Sequence, residues 1–168
     1  VENVLHEPKI PKPELEQSLG IKFRDQNILI THHPVTAKRG YENEIDDILF
    51  ALEEFPEIGL IFTSANADAG GAAINEKIRQ LTAKHNNAYF FVSFGSPIYL
   101  SVLAQCCGIV GNSSSGIFET PSFKKPSINI GNRQLGRIKA KNIIDSKCSF
   151  NAILKSIRYA MSNNFKKK

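Results

Sequence analysis

Short apolar runs and amphipathic stretches alternate along this chain. Asn27-Ile28-Leu29-Ile30-Thr31 is an apolar run of strand length that ends in His32-His33-Pro34, as a buried strand running into a loop does. Ile45, Ile48, Leu49, Leu52 and Phe55 then recur at helical spacing. Ile58 to Phe62 reads as a second strand, Thr63 to Gly71 as a loop, and Ile74, Ile78 and Leu81 as one face of a helix. Tyr89 to Phe94 predicts a third strand, after which Ser96-Pro97 fits an N-cap followed by proline at the first helical position. Tyr99, Val102, Leu103 and Cys106 mark one face of the helix that follows. Gly108 to Gly111 predicts a brief strand, Gly116 to Pro121 a short helix, Ser127 to Ile130 another strand and Asn142 to Asp145 one more. Phe150, Ile153, Leu154, Ile157 and Met161 define a closing amphipathic helix. Upstream, Val1 to Leu19 is polar and carries Pro8, Pro11 and Pro13 around a short helical stretch at Leu15. It reads as a linker and lead-in helix over residues 1–20, ahead of one domain over residues 21–168.

Strands alternating with helices at this spacing predict an α/β fold, an open and mostly parallel sheet with helices on both faces. Such sheets bind ligands beyond the carboxyl ends of their strands. The polar motifs fall there: His33, Asn66-Ala67-Asp68, Gly95-Ser96 and Asn112-Ser113-Ser114-Ser115-Gly116 each follow a predicted strand.

Composition narrows the class. The 168 residues suit one domain with a real core, since domains run to about 100–150 residues. With 42% apolar and 22% charged residues, disordered, collagen-like and coiled-coil classes are excluded. No run approaches the ~20 apolar residues of a membrane span, and Val1 to Ile10 lacks the apolar block of a signal peptide. A soluble cytoplasmic protein without membrane contact is the expectation. Cys106, Cys107 and Cys148 are odd in number and show no CxxC spacing, which points to inert thiols rather than a disulfide framework or a zinc site. The net charge of +5 and pI near 9.1 suit an anionic ligand, although part of the excess sits in Lys166-Lys167-Lys168. With no RNA-binding aromatic signature or zinc-finger spacing, nucleic acid is not an expected partner.

Gly111-Asn112-Ser113-Ser114-Ser115-Gly116 joins a strand to a helix through small residues and hydroxyls. Backbone N–H groups at a helix start carry partial positive charge, and serine hydroxyls add donors, so a diphosphate is well held at such a turn. A plain serine-rich N-cap is the competing reading. Glu119, one turn beyond Ser115, either favours the helix dipole or accepts hydrogen bonds from two neighbouring ribose hydroxyls. Arg133 and Arg137 flank a Gly-rich loop, where guanidinium groups pair with phosphate or sugar, or form surface ion pairs. His33 stands at a strand mouth, with His32 one position away as the other choice; an imidazole there binds phosphate or shuttles a proton, or is merely solvated. Asn66 and Asp68 either line the same mouth or cap the helix that starts near Gly71. The P-loop, GxGxxG and GxSxG signatures are all missing.

In this order, the motifs resemble the C-terminal half of the hydrolysing UDP-N-acetylglucosamine 2-epimerases of sialic acid synthesis. The resemblance is carried by Thr31-His32-His33-Pro34-Val35-Thr36, by Asn66-Ala67-Asp68-Ala69-Gly70-Gly71, by Gly111 through Glu119, and by Pro126 through Arg137. It runs from about Ile21 to Asp145. It implies a Rossmann-like domain, one half of the two-domain architecture of the B-type glycosyltransferases (GT-B), with the active site in the cleft between the halves. By this resemblance Ser113 and Ser114 bind the diphosphate of UDP with Arg133 assisting, and Glu119 holds the ribose. Backbone groups of Phe94 and Gly95 read the uracil edge, His33 is the catalytic residue that supports departure of UDP, and Asn66 lines the cleft, with Asp68 and Arg137 as further contributors. Gly70, Gly71 and Ser115 receive no role.

The implied reaction eliminates UDP to leave a 2-acetamidoglucal and then adds water with inversion at C2, with no metal or cofactor. The proton-transfer acids belong to the family's N-terminal half, which the chain is expected to lack, so the fragment alone is expected to be inactive and to need that half as partner. A homo-oligomer is expected at full length. Rival readings are a UDP-diacetamido-sugar 2-epimerase of legionaminic acid synthesis, a non-hydrolysing 2-epimerase, and a GT-B glycosyltransferase domain. The non-enzymatic rival is a nucleotide-binding α/β domain of flavodoxin or response-regulator type, whose acidic pocket or flavin loop the sequence does not show.

Overall fold

The computed structural model describes residues 7–35, 44–67, 70–162 and 165. Six strands, β1 (Asn27–Thr31), β2 (Gly59–Thr63), β3 (Ala88–Phe91), β4 (Gly108–Gly111), β5 (Ser127–Ile130) and β6 (Ile143–Ser146), form one sheet in the order β3-β2-β1-β4-β5-β6. Every neighbouring pair is parallel. Parallel neighbours cannot be joined by a tight turn. The chain therefore crosses over through α2 (Glu44–Glu53), α3 (Gly71–Lys84), α4 (Ser96–Gln105) and the short α5 (Ser115–Phe118), the last followed by a 3-10 turn (Thr120–Phe123). Helix α1 (Lys12–Leu19) precedes the sheet and α6 (Phe150–Met161) follows it. The result is the α/β sheet with helices on both faces that the alternating pattern predicts.

Because helices cover both faces, the central strands are apolar at consecutive positions, and the strand pleat divides them between two cores. Ile28, Ile30, Leu60, Phe62, Val110, Ile128 and Ile130 point to one side, where they meet Ile45 and Ile48 of α2, Ile74 and Ile78 of α3, and Ile153 and Ile157 of α6. Leu29, Ile61 and Ile109 point to the other side, against Leu15 of α1 and Val102 and Leu103 of α4. Each such side chain, fully buried, contributes roughly 1.5–3 kcal/mol of transfer free energy. The helical spacings read from the sequence are the faces that these two cores use.

The second and last strands are shifted by one residue and the short helix ends at Phe118 rather than Pro121; two further boundaries have a clear physical reason. The third strand ends at Phe91 rather than Phe94, because β2 stops at Thr63 and the Ser64 N–H gives Phe91 O the final inter-strand bond, 2.9 Å. Residues 92–95 leave the ladder for the loop. Helix α4 begins at Ser96 with Gly95 as its N-cap, and no side chain caps it. Its other end is closed by Lys125, whose ammonium donates to the carbonyls of Leu103 (2.8 Å), Ala104 (2.6 Å) and Cys106. Cys106 is buried, Cys107 and Cys148 are half-buried, and all three are free thiols. Among the described residues no helix is long and apolar enough to cross a membrane. The terminal lysines lie outside the described residues.

Candidate functional site

Strand β1 sits between β2 and β4, so the chain winds outward in opposite directions from this pair and leaves a crevice where the crossovers diverge. A cavity of about 690 Å³ opens there. His33, Asn66, Phe94, Gly95, Ser113 and Glu119 all line it, from the loops that follow β1, β2, β3 and β4. The hydroxyls of Thr31 and Thr63, 2.5 Å apart at the ends of β1 and β2, form part of its floor.

Close backbone approach makes the crevice. Gly111 has φ 143°, and a Cβ on it would stand 1.9 Å from Thr31 O. Any larger residue would push β4 away from β1 just where the loops diverge. The next residue, Asn112, is fully buried. Its Oδ1 accepts from the His33 N–H at 2.8 Å and its Nδ2 donates to the His33 carbonyl at 2.8 Å.

The two histidines separate by environment. His32 is buried beneath the loop with no hydrogen-bond partner for Nδ1, and burial, reinforced by His33 and Arg133, lowers its pKa to about 4. It is a neutral packing residue at neutral pH. His33 reaches the cavity, and its Nδ1 accepts from the Asn66 N–H at 3.0 Å. An accepting Nδ1 places the proton of the neutral ring on Nε2.

The serine turn does not behave as a simple cap. Ser114 is the N-cap of α5 yet makes no side-chain cap bond, while Ser113 Oγ accepts weakly from the Ser115 N–H at 3.4 Å. Ser115 bonds the Tyr99 hydroxyl from α4 and also hydrogen-bonds Glu119. Burial raises the pKa of Glu119, an effect the Ser115 bond opposes, and burial likewise raises that of Tyr99. Glu119 Oε2 is buried without a partner. A carboxylate in that setting is poised to accept hydrogen bonds from vicinal hydroxyls.

Three candidates stand elsewhere. Ser114 is outside the cavity lining. Arg133 also lies beside it: its Nη1 donates to Asn112 O at 3.1 Å, which holds the guanidinium next to the serine turn. Arg137 stacks over the ring of Phe118, 5.1 Å from its centroid, and so is engaged on the outer surface. Asp68 lies outside the described residues. Helix α3 has Gly70 as N-cap and no side-chain cap, so Asn66 is not a cap. Asn112, Gln134, Thr31, Thr63 and Tyr99 receive no individual role from the sequence; Asn112 stands there as part of the polar turn after the fourth strand and the two threonines as polar residues closing apolar strands, while nothing singles out Gln134 or Tyr99. Among the described residues no group of three or more His, Cys, Asp or Glu side chains could hold a metal ion.

A parallel sheet in this order, with a polar cavity at its switch point, defines a Rossmann-like domain. The C-terminal domain of a group 1 glycosyltransferase from Francisella tularensis has the same fold, with a TM-score of 0.59 at 13% identity over 98% of this chain and 89% of that one. A UDP-GlcNAc 2-epimerase from Neisseria meningitidis, solved with UDP-GlcNAc, aligns with a TM-score of 0.66 at 17% identity over 93% of this chain and 42% of that one.

The chain belongs to the UDP-N-acetylglucosamine 2-epimerase family, whose profile matches residues 1–168. It is 44% identical over 138 residues to a hydrolysing GDP/UDP-N,N'-diacetylbacillosamine 2-epimerase of Campylobacter jejuni, covering 81% of this chain and 36% of that protein. It is 33% identical over 162 residues to the polysialic acid biosynthesis protein P7 of Escherichia coli, covering 96% and 41%. The chain thus spans well under half the length of these relatives, and the match lies in their C-terminal half.

Proposed function

We propose that this chain is the UDP-gripping half of a cytoplasmic, hydrolysing UDP-N-acetylglucosamine 2-epimerase that releases UDP and forms N-acetylmannosamine. The observation that carries the reading is the convergence of His33, Asn66, Phe94, Gly95, Ser113 and Glu119, from four separate loops, on one cavity at the switch point. In this reading the Phe94–Gly95 backbone, which lines the cavity, reads the uracil edge, and Gly95 at φ 69° turns the chain there into α4. Glu119 accepts from the ribose hydroxyls. Ser113 and Ser114, with Arg133 held beside them, donate to the diphosphate.

Elimination leaves negative charge on the departing UDP as the C1–O bond breaks. Donors fixed in advance stabilise that charge without having to reorient. His33, carrying its proton on Nε2, donates to the leaving phosphate oxygen in this scheme, and water then adds to the glycal with inversion at C2. The acids that move protons at C2 and C3 come from an N-terminal half like that of the relatives, so the chain alone binds UDP without turnover. Residues 1–20 act as the lead-in to the domain of residues 21–168, and the two-domain enzyme is a homo-oligomer. The two hydrolysing diacetylbacillosamine epimerases among the relatives, at 44% and 31% identity, favour a second reading in which the sugar is a UDP-diacetamido sugar.

Calorimetric titration of the chain with UDP tests the binding role: a saturable signal and protection against melting are expected, and neither at millimolar UDP defeats it. NMR of the products formed by the chain joined to its N-terminal half distinguishes the two sugars. Recovery of an intact epimerised UDP-sugar would exclude the hydrolysing chemistry for both.

A further inference from the structure

The loops after β1, β4 and β5 are tied together by one residue that does not line the cavity, through its side chain to the first and its main-chain carbonyl to the last. Asn112 is fully buried, and its amide grips both main-chain polar groups of His33, a residue 79 positions away, through two bonds of 2.8 Å. Its own N–H donates to Thr31 O at 3.1 Å. Its carbonyl accepts from Arg133 Nη1 at 3.1 Å and from the buried Gln134 Nε2 at 2.8 Å. Every polar atom of Asn112 is therefore occupied by the protein. A planar amide that makes two bonds to one residue fixes both its position and its rotation, which a single bond does not. The satisfied Asn112 amide makes its part of this buried polar network rigid, although Gln134 Oε1 is buried without a partner.

We infer that Asn112 is a positioning residue, which sets His33, the Ser113–Ser115 turn and the Arg133 guanidinium in one fixed arrangement so that the donors facing a diphosphate act as a unit. The inference rests on the UDP-binding reading above. It extends to the imidazole. The bond from the Asn66 N–H to His33 Nδ1, 3.0 Å, depends on where the His33 backbone is held, so Asn112 also determines which ring nitrogen carries the proton.

Two variants of the whole chain test this, with UDP as the probe and two readouts, calorimetric affinity and the ¹⁵N signals of the His33 ring. Asn112→Asp keeps the shape and the acceptor for the His33 N–H but puts a carboxylate oxygen against the His33 carbonyl, where a donor stood. It is expected to bind UDP about tenfold or more weaker and to move His33 away from a single Nε2–H tautomer. Gln134→Met leaves the amide's grip on His33 intact and removes one donor from the Asn112 carbonyl; a loss of about threefold or more is expected. A wild-type chain that binds UDP, with both variants equal to it in affinity and in their His33 signals, overturns the inference and leaves the binding reading standing. A wild-type chain that takes no UDP defeats the binding reading instead, and the His33 tautomer in Asn112→Asp still decides whether Asn112 positions the ring. Should Asn112→Asp not fold, Asn112→Ser, too short to make both bonds to His33, takes its place: affinity and His33 signals equal to wild type overturn the inference.

Discussion

Two cavities of similar size open at opposite ends of the same sheet, about 690 Å³ at the carboxyl ends of the strands and about 620 Å³ at the amino ends. The second is lined by Lys124, Lys125 and Lys141 among prolines, Met161 and Phe165, whereas the charged residues lining the first are Glu7 and Glu119, so by volume and charge alone the second is the better anion site. They differ in what their polar groups already do. At the amino end the Lys125 ammonium is occupied by three helix carbonyls, and burial holds its pKa below the ordinary value. At the carboxyl end the protein orients its donors through backbone bonds and leaves Glu119 Oε2 without a partner. Volume and net charge do not mark a site; oriented polar groups still open to a ligand do.

The comparison can be broken most severely at Gly111. Gly111→Ala sets a methyl carbon against Thr31 O at a φ suited to glycine, and a loss of about 4 kcal/mol is expected in urea denaturation. An unaltered midpoint would mean that the crevice does not depend on this approach. Beneath the same loop, neutral His32 must charge when the pH falls. Its folded pKa of about 4 lies below the ordinary 6.5, so its contribution is fully present above 6.5 and is lost on acidification through about 4. The expected loss is on the order of 3 kcal/mol, and a His32→Leu variant that unfolds with the same pH profile as wild type refutes the assignment.

Smaller effects sharpen the contrast. Replacing Ser113 and Ser114 together by alanine is expected to weaken UDP binding by roughly 1–3 kcal/mol, as read by calorimetry, with little change in melting temperature. Lys125→Met at the other end reverses the pattern: about 1 kcal/mol of stability is expected to go with the helix closure, and UDP affinity to remain. Least of all is expected from Lys124→Ala combined with Lys141→Ala, whose UDP affinity should equal that of wild type. A marked loss there would move the anion site to the amino end.

The sheet was legible because short apolar runs such as Leu29, Ile30 and Ile61, Phe62 are of strand length and stand between helical spacings, which name the faces that cover both sides. Six of the candidate residues meet at one cavity because the polar motifs after parallel strands all emerge at one end. What stayed hidden joins distant positions. The amide of Asn112 recognises the main chain of His33, which leaves no mark in side-chain chemistry, and Tyr99 reaches Ser115 across two elements. The choice between His32 and His33 was unreadable for a related reason. Adjacent residues leaving a strand face opposite ways, and only the packed loop shows which one faces the cavity. The end of β3 departs from the apolar pattern because Val92 and Phe94 continue it in sequence, yet β2 has no residue left to pair with them.

Helix α1 has a consequence for anyone who shortens this chain. Leu15 is wholly enclosed between α4 and the sheet, and the Ile10 N–H is tied to Ser101 Oγ at 3.0 Å. Trimming the first twenty residues to isolate a tidier domain would strip the roof from Leu29, Ile61 and Val102 and leave a greasy, association-prone flank, so the opening segment belongs to the smallest unit worth expressing.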